Sequence, residues 1–133
     1  MTIVFGRTVP VLRIFSEEKA REFYLGFLGF KVDWEHRFEP ELPLYMQVSR
    51  DGLAFHLSEH HGDGTPGSVV YVYMTGVEEW HGELIGKRYR HNRPDLQQQD
   101  WGMLEVSVID PFSNRIVFGE YRDHTKHADG SLP

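Results

Sequence analysis

The chain repeats its own order of secondary structure, and a repeat of this kind decides architecture before any single motif does. "TVPVLRI", Thr8 to Ile14, is a β-rich alternating run, with Pro10 placing it at a sheet edge or at the first strand residues. Ser16 then caps "SEEKAREFYLGFLGF": Ala20, Phe23, Tyr24, Phe27 and Leu28 recur at helical spacing, Glu17 and Glu18 favour the N-terminus, and Gly29 stops the helix. Three strands are predicted next, over Lys31 to Phe38, Pro43 to Arg50 and Leu53 to His60, the last two joined by the tight-turn pair Asp51-Gly52.

After the loop "HGDGTPG" the order restarts. "SVVYVYM" reads as a strand, and "GVEEWHGELIGK" as a helix with Val77, Trp80, Leu84 and Ile85 on one face and Gly86 near its end. A weak strand around Arg88 to Asn92, the strand "GMLEVSVI", a "DPFSN" turn and the strand "NRIVFGEY" complete it. Val9 maps to Val69 and Glu17 to Val77 at an offset of 60, and His56 falls near Val117 at 61. The fold class is therefore α+β, two tandem βαβββ modules over about 8–60 and 68–121 of a single domain, 1–133, with a polar, loose tail at 122–133.

Side chains alternate across a strand, so every strand divides into a face under its helix and a face away from it. Leu44, Met46, Val48, Leu53, Phe55, Leu57, Val70, Val72, Met74, Leu104, Val106 and Val108 fall beneath the helices. Opposite them stand Arg13, Tyr45, Gln47, His56, Tyr71, Tyr73, Glu105, Ser107 and Arg115, a polar and aromatic set. Two sheets packed side by side are expected to curve these second faces around a shared cleft, suited to a ligand with flat and polar parts. Phe23, Tyr24 and Phe27 read as core, as does Trp80; Trp34 is also less ambiguous than Trp101, which reads equally as an interface anchor or a stacking surface.

At 133 residues the chain buries a core without disulfides or a structural metal. The absence of cysteine excludes thiolate nucleophiles and zinc ribbons and gives no sign of an oxidising compartment. No leader pattern or membrane-spanning run is visible, so the expectation is a cytoplasmic protein without a membrane partner. A net charge of −6, with 14 Lys and Arg scattered rather than gathered on one helix, argues against a nucleic-acid partner and suits a cationic small molecule. "HLSEHH", His56 to His61, holds three of the chain's eight histidines and a glutamate, and reads either as half of a metal site or as a polar strand end.

The paired βαβββ order, "VPVLRI…AREFYLGFLGF" and "WGMLEVSVIDPFSNRIVF" together resemble the vicinal oxygen chelate superfamily, which includes glyoxalase, extradiol dioxygenases and the fosfomycin and bleomycin resistance proteins. The likeness covers residues 5–121. Enzymes of that superfamily hold a divalent metal with His and Glu or Gln in the first and last strands of each repeat. Fourteen residues before Phe23, where the pattern wants a ligand, stands Val9; the equivalent near Val69 and the position seven beyond Asp110, Val117, are also valine. Only His56 has a donor, and one imidazole does not make a divalent site. His60, His61 and Glu120 would rebuild one only through a register shift that turns side chains to the opposite face. The implied site holds no metal and no cofactor.

That narrows the resemblance to the metal-free bleomycin resistance branch. Val9 to Leu12 resembles its "VPVL" first strand, whose proline marks strand or arm exchange between subunits, Trp101-Gly102 its "WG", and Phe38 its aromatic after the second strand. What this implies is a homodimer whose interfacial grooves sandwich the flat rings of a cationic, bleomycin-like antibiotic and sequester it without chemistry. The expected ligand-binding residues are Phe38, Tyr45, His56, Tyr71, Tyr73, Trp101, Glu105 and Arg115, with no catalytic residue. "RYRHNRPDLQQQD" and Met103 depart from the branch and leave the ligand open. Two alternatives stand beside this reading: an enzyme of the same superfamily, a lyase, isomerase or dioxygenase-like protein with an unusual or metal-free site, His56 and Glu105 serving as base and acid, or a structural or regulatory module whose cleft is closed by Tyr71, Tyr73 and Trp101.

Overall fold

The computed structural model describes residues 2–122; the tail expected at 122–133 lies, from 123 onward, outside the described residues. The chain divides into two compact units, the first formed by Met1–Ser68 with Pro111–Asn114 and the second by Val69–Asp110 with Arg115–Pro133. No helix among the described residues is long and apolar enough to cross a membrane.

In the first unit β1 (Val11–Arg13) leads through Ser16 into α1 (Glu17–Arg21), which continues as a π-helical stretch over Glu22–Phe27. Ser16 caps α1, its side chain accepting from the Lys19 N–H at 3.2 Å. The change to wider turns is visible where the Leu28 N–H reaches the Phe23 carbonyl at 2.9 Å. Phe23, Tyr24, Phe27 and Leu28 are all buried, and Gly29 ends the helix at φ 76, a conformation that favours glycine.

β2 (Lys31–His36), β3 (Tyr45–Arg50) and β4 (Leu53–Ser58) follow, and the sheet order is β1-β4-β3-β2 with β1 parallel to β4. Asp51 and Gly52 both take positive φ, 49 and 87, as the two-residue hairpin between β3 and β4 requires. Leu44, Met46, Val48, Phe55 and Leu57 are buried on one side, where Phe30 stacks on Phe55 with ring centroids 5.5 Å apart. Burying each such side chain stabilises the unit by about 1.5–3 kcal/mol. The turn Pro111–Asn114 belongs to this unit as well: Asn114, fully buried, donates to the Arg13 carbonyl at 2.9 Å and accepts from the Ser68 N–H at 3.3 Å.

The second unit has the same plan. β5 (Val69–Tyr73), α2 (Val77–Gly86), β6 (Leu96–Gln98), β7 (Met103–Ile109) and β8 (Arg115–Tyr121) form a sheet of order β5-β8-β7-β6, with β5 parallel to β8. Val11 pairs with His56 and Tyr71 with Val117, so equivalent partners recur 60 and 61 residues along, as the sequence offsets require. Both βαβββ modules are thus present.

Three expectations are corrected. The short strand lies at Leu96–Gln98 rather than Arg88 to Asn92, because the helix ends in a left-handed residue, Arg88 at φ 52, and Pro94 follows before pairing begins. Ile85 is 44% exposed, since Val77, Trp80 and Leu84 already define the buried stripe and Ile85 stands about 100° round from Leu84. Val70, Val72 and Met74, on or just after edge strand β5, and Leu53 are only half-buried, not sealed under their helices.

Helix α2 begins at Gly76, which has no side chain to cap it. Glu120 of β8 supplies the cap, its Oε1 accepting from the Gly76 N–H at 3.1 Å and the Val77 N–H at 3.0 Å. Glu120→Ala is expected to destabilise the protein by about 1–2 kcal/mol, measured by urea denaturation, with Glu120→Gln recovering part of the loss.

Candidate functional site

The face of the first sheet turned away from α1 is built around one cross-strand row. Gln47 is paired with His56 on one side and with Trp34 on the other, and His36 is paired with Tyr45 one step along. Trp34 stacks on Tyr45 with near-parallel rings, 5.9 Å apart at 7°, and His56 meets both edge-on at 5.2 Å. Phe38 is exposed and packs edge-on against His36 at 4.9 Å, so the expected Phe38, Tyr45 and His56 belong to one aromatic surface.

Trp34 was not among the expected binding residues. By strict alternation it would share the side of Val32, which pairs with Val48 under the helix; a β-bulge between Val32 and Trp34 reverses the parity and delivers the indole to the polar face, where it is 43% exposed. The only hint in the sequence is Asp33, a poor strand residue at the inserted position.

The hydrogen bonds of this face fix the state of His56. The Asp33 carboxylate can only accept, so Gln47 turns its Nε2 toward it at 2.9 Å and leaves its Oε1 facing His56 Nε2 at 3.0 Å. His56 Nε2 must therefore donate, and Nδ1 accepts from the Tyr45 hydroxyl at 2.7 Å. Burial, aided by the charge of Arg7, holds the imidazole below its usual 6.5, and burial raises the Tyr45 phenol. A neutral imidazole with both nitrogens engaged is neither a free base nor an open ligand.

Ser58, Glu59 and His60 of "HLSEHH" are engaged in structural contacts. The Ser58 hydroxyl donates to Asp63 at 2.8 Å and accepts from the His60 N–H at 3.0 Å; the Glu59 carboxylate accepts from the Leu44 N–H at 3.0 Å. With Val9, Val69 and Val117 offering no donors and Glu120 capping α2, no group of three or more His, Cys, Asp or Glu is gathered among the described residues. The residues present do not fit the metal that related enzymes carry.

In the second unit Tyr71 lies across its neighbouring strand and donates its hydroxyl to Glu105 Oε2, while Gln99 Nε2 donates to Oε1 at 3.2 Å. Burial, and then Glu105, drives the Tyr71 phenol well above its ordinary value, so it remains a donor. Gly119, directly opposite Glu105 and Tyr73, leaves the room: a Cβ there would stand 2.8 Å from Tyr71 Cζ and 2.9 Å from Met103 Cε. Tyr73 packs against Tyr71 at 5.0 Å and stacks on Tyr121 at 5.9 Å. Tyr71, Tyr73 and Glu105 are therefore one cluster. Arg115 is not part of it, standing across from Ile109, four residues from Glu105 and about 13 Å along the strand. Trp101 sits in the β6–β7 turn, 53% exposed, with no ring contact among the described residues.

Gly119→Ala is expected to cost about 1–3 kcal/mol and to break the Tyr71–Glu105 bond. Thermal denaturation checks the first effect; a spectrophotometric phenol titration in which one tyrosine returns toward the ordinary alkaline range checks the second. For His56, nitrogen NMR is expected to show the Nε2–H tautomer and a midpoint below 6.5. Because the unfolded chain binds that proton more readily, stability should fall as pH drops from about 6.5 toward the lowered folded value, and His56→Gln should remove that slope.

Similar folds occur in solved structures. A bleomycin-binding protein complexed with bleomycin aligns at TM-score 0.67 and 16% identity, covering 87% of this chain and 98% of that one. A glyoxalase-related enzyme from Clostridium phytofermentans aligns at TM-score 0.68 and 19% identity, over 90% and 97% of the two chains. TnmS3, an antibiotic binding protein from Streptomyces sp. CB03234, aligns at 0.61 and 18%, over 90% and 99%. No curated protein sequence matches the chain. The family model for glyoxalase superfamily proteins matches residues 1–125, and with both βαβββ modules in place, the chain belongs to the glyoxalase superfamily.

Proposed function

We propose that the protein is a homodimeric small-molecule binder that sequesters a planar, cationic compound, an antibiotic of the bleomycin type being the model ligand, without transforming it. The observation that carries the reading is the state of the two sheet faces: flat rings stand partly exposed while the ionisable groups between them are already hydrogen-bonded. Trp34 on Tyr45 offers one stacking surface; Tyr71, Tyr73 and Tyr121 offer another, with Trp101 exposed in the adjoining turn.

Aromatic side chains provide large contact area at small entropic cost and take flat rings in offset-stacked or edge-on contact. Glu105 keeps a carboxylate at the surface for a cation, although both its oxygens already accept bonds, and the net charge of −6 draws positive ligands toward the chain. His56 and Glu105 would each have to give up hydrogen bonds before moving a proton, which weighs against acid–base chemistry. The bleomycin complex and the antibiotic-binding TnmS3 share the fold, which supports the same use of it here.

The test is a tryptophan-fluorescence titration with metal-free and copper-loaded bleomycin at two salt concentrations, with sedimentation analysis of the free protein. Saturable quenching at one drug per subunit is expected, weakening as salt rises. Trp101→Ala and Trp34→Ala should each loosen binding about tenfold, or roughly 1.4 kcal/mol, and mass spectrometry should recover the drug unchanged. A flat titration at high micromolar drug removes bleomycin as the ligand, and a product mass overturns sequestration.

A further inference from the structure

The segment that leaves helix α2 has a character unlike the rest of the chain. Lys87, Arg88, Arg90 and Arg93 place four of the 14 Lys and Arg within seven residues, with no acidic residue among them, in a protein of net charge −6. Arg88 and Arg93 make no ion pair among the described residues. Both line a cleft of about 330 Å³ together with Ile85, Tyr89 and Asn92.

The frame that carries these arginines is held in place, although it has no regular structure. The Lys87 and Arg88 N–H groups bond back to Leu84 and Ile85 at 3.2 and 3.1 Å, and Arg88 occupies left-handed backbone at φ 52, which a side chain adopts at a cost. The Asn92 N–H donates to the Tyr89 carbonyl at 3.2 Å. The Asn92 side chain clasps the end of β7, donating to the Ile109 carbonyl at 2.6 Å and accepting its N–H at 3.3 Å. Beyond it, His81 Nε2 donates to the Pro94 carbonyl at 2.9 Å. Asn92 grips the sheet four residues along β7 from Glu105, so this cleft is distinct from the Tyr71–Glu105 cluster.

From this arrangement we infer that the cleft is a second binding site, for a small organic oxyanion: a carboxylate or phosphate monoester carried on a flat or apolar body. Two guanidinium groups without a carboxylate partner among the described residues are matched by an oxyanion, which each binds through a planar pair of donors. The exposed side chain of Ile85 and the ring of Tyr89 supply the walls for the body. The volume stands at the lower end of the roughly 300–1,000 Å³ of small-molecule sites, which suits a ligand of one ring. Arg88 and Arg93, like charges on one cleft, repel each other, so a bound anion also relieves that repulsion.

The experiment is an amide NMR titration of the whole protein with phenyl phosphate, benzoate, benzamide and inorganic phosphate at constant ionic strength. Phenyl phosphate and benzoate are expected to shift Ile85, Tyr89 and the Asn92 side-chain amide saturably, with the dianion tighter. Benzamide, the neutral counterpart of benzoate, should bind at least about tenfold more weakly. Arg88→Gln/Arg93→Gln should abolish saturation while leaving the remaining spectrum and the melting temperature in place. Arg88→Gly/Arg93→Gln, which relieves the left-handed backbone, guards against a folding defect and should behave alike. Binding that survives both double variants, or equal binding of benzamide, overturns the site. Inorganic phosphate binding as tightly as phenyl phosphate overturns the assignment of an apolar body, and tighter binding of an oligo-glutamate peptide would replace the small ligand with an acidic protein segment.

Discussion

Each sheet depends on one pairing, that of its first strand laid parallel against its last: β1 on β4 and β5 on β8. Parallel neighbours cannot be joined by a tight turn and need a long crossover. In both modules the crossover contains the helix, which covers one side of the sheet, while antiparallel hairpins complete the strands. The other side is left to whatever the alternate residues provide. Here they provide tyrosine, tryptophan, histidine and glutamine, so the same topology that makes the core also displays the aromatic faces.

Much of this was legible because period-2 alternation and helical spacing are strong signals over six or seven residues. The buried set Met46, Val48, Phe55, Leu57, Val106 and Val108 follows directly from it, as do the Ser16 cap and the Asp51-Gly52 turn. The signal failed where parity or register changes with only a weak local marker. One extra residue near Asp33 moved Trp34 to the opposite face, and the path from Arg88 to Pro94 displaced β6 by several positions. Local residues such as Asp33 and Pro94 contribute, but the outcome is set by pairing with a neighbouring strand, β3 for Trp34 and β7 for β6. Tyr71 reaching over a glycine at 119 is likewise a meeting of two residues 48 apart that no local pattern records.

The two modules share a plan but place different chemistry at equivalent points. His56 and Val117 occupy the same register opposite Val11 and Tyr71. In the first module the imidazole is fixed by a chain of bonds from Tyr45 through Gln47 to Asp33; in the second a buried valine pairs with Tyr71, and the polar link runs from Tyr71 to Glu105 and Gln99. Each face thus carries its own hydrogen-bonded network with flat rings beside it. These bonds hold Tyr45 and Tyr71 in position before any ligand arrives, which is the preorganisation that the proposed binding role would call for.

The sheet faces and the segment after α2 treat charge in opposite ways. On the faces, Asp33 accepts from Gln47, and Glu105 accepts from Tyr71 and Gln99; at the edge of the first unit, Arg21 and Arg37 pair with Glu17. From Lys87 to Arg93 the cations are instead crowded onto a loop that spends the side chains of Asn92 and His81 on holding its path. Surface charges are cheap to neutralise, since one exposed ion pair contributes only about 0–1 kcal/mol and demands little of its surroundings. A loop pinned at both ends that leaves Arg88 and Arg93 without acidic partners among the described residues is what the proposed anion site builds on. On the readings proposed above, a protein of net charge −6 with such a cleft would hold an anion at one place and a cationic, flat ligand at another.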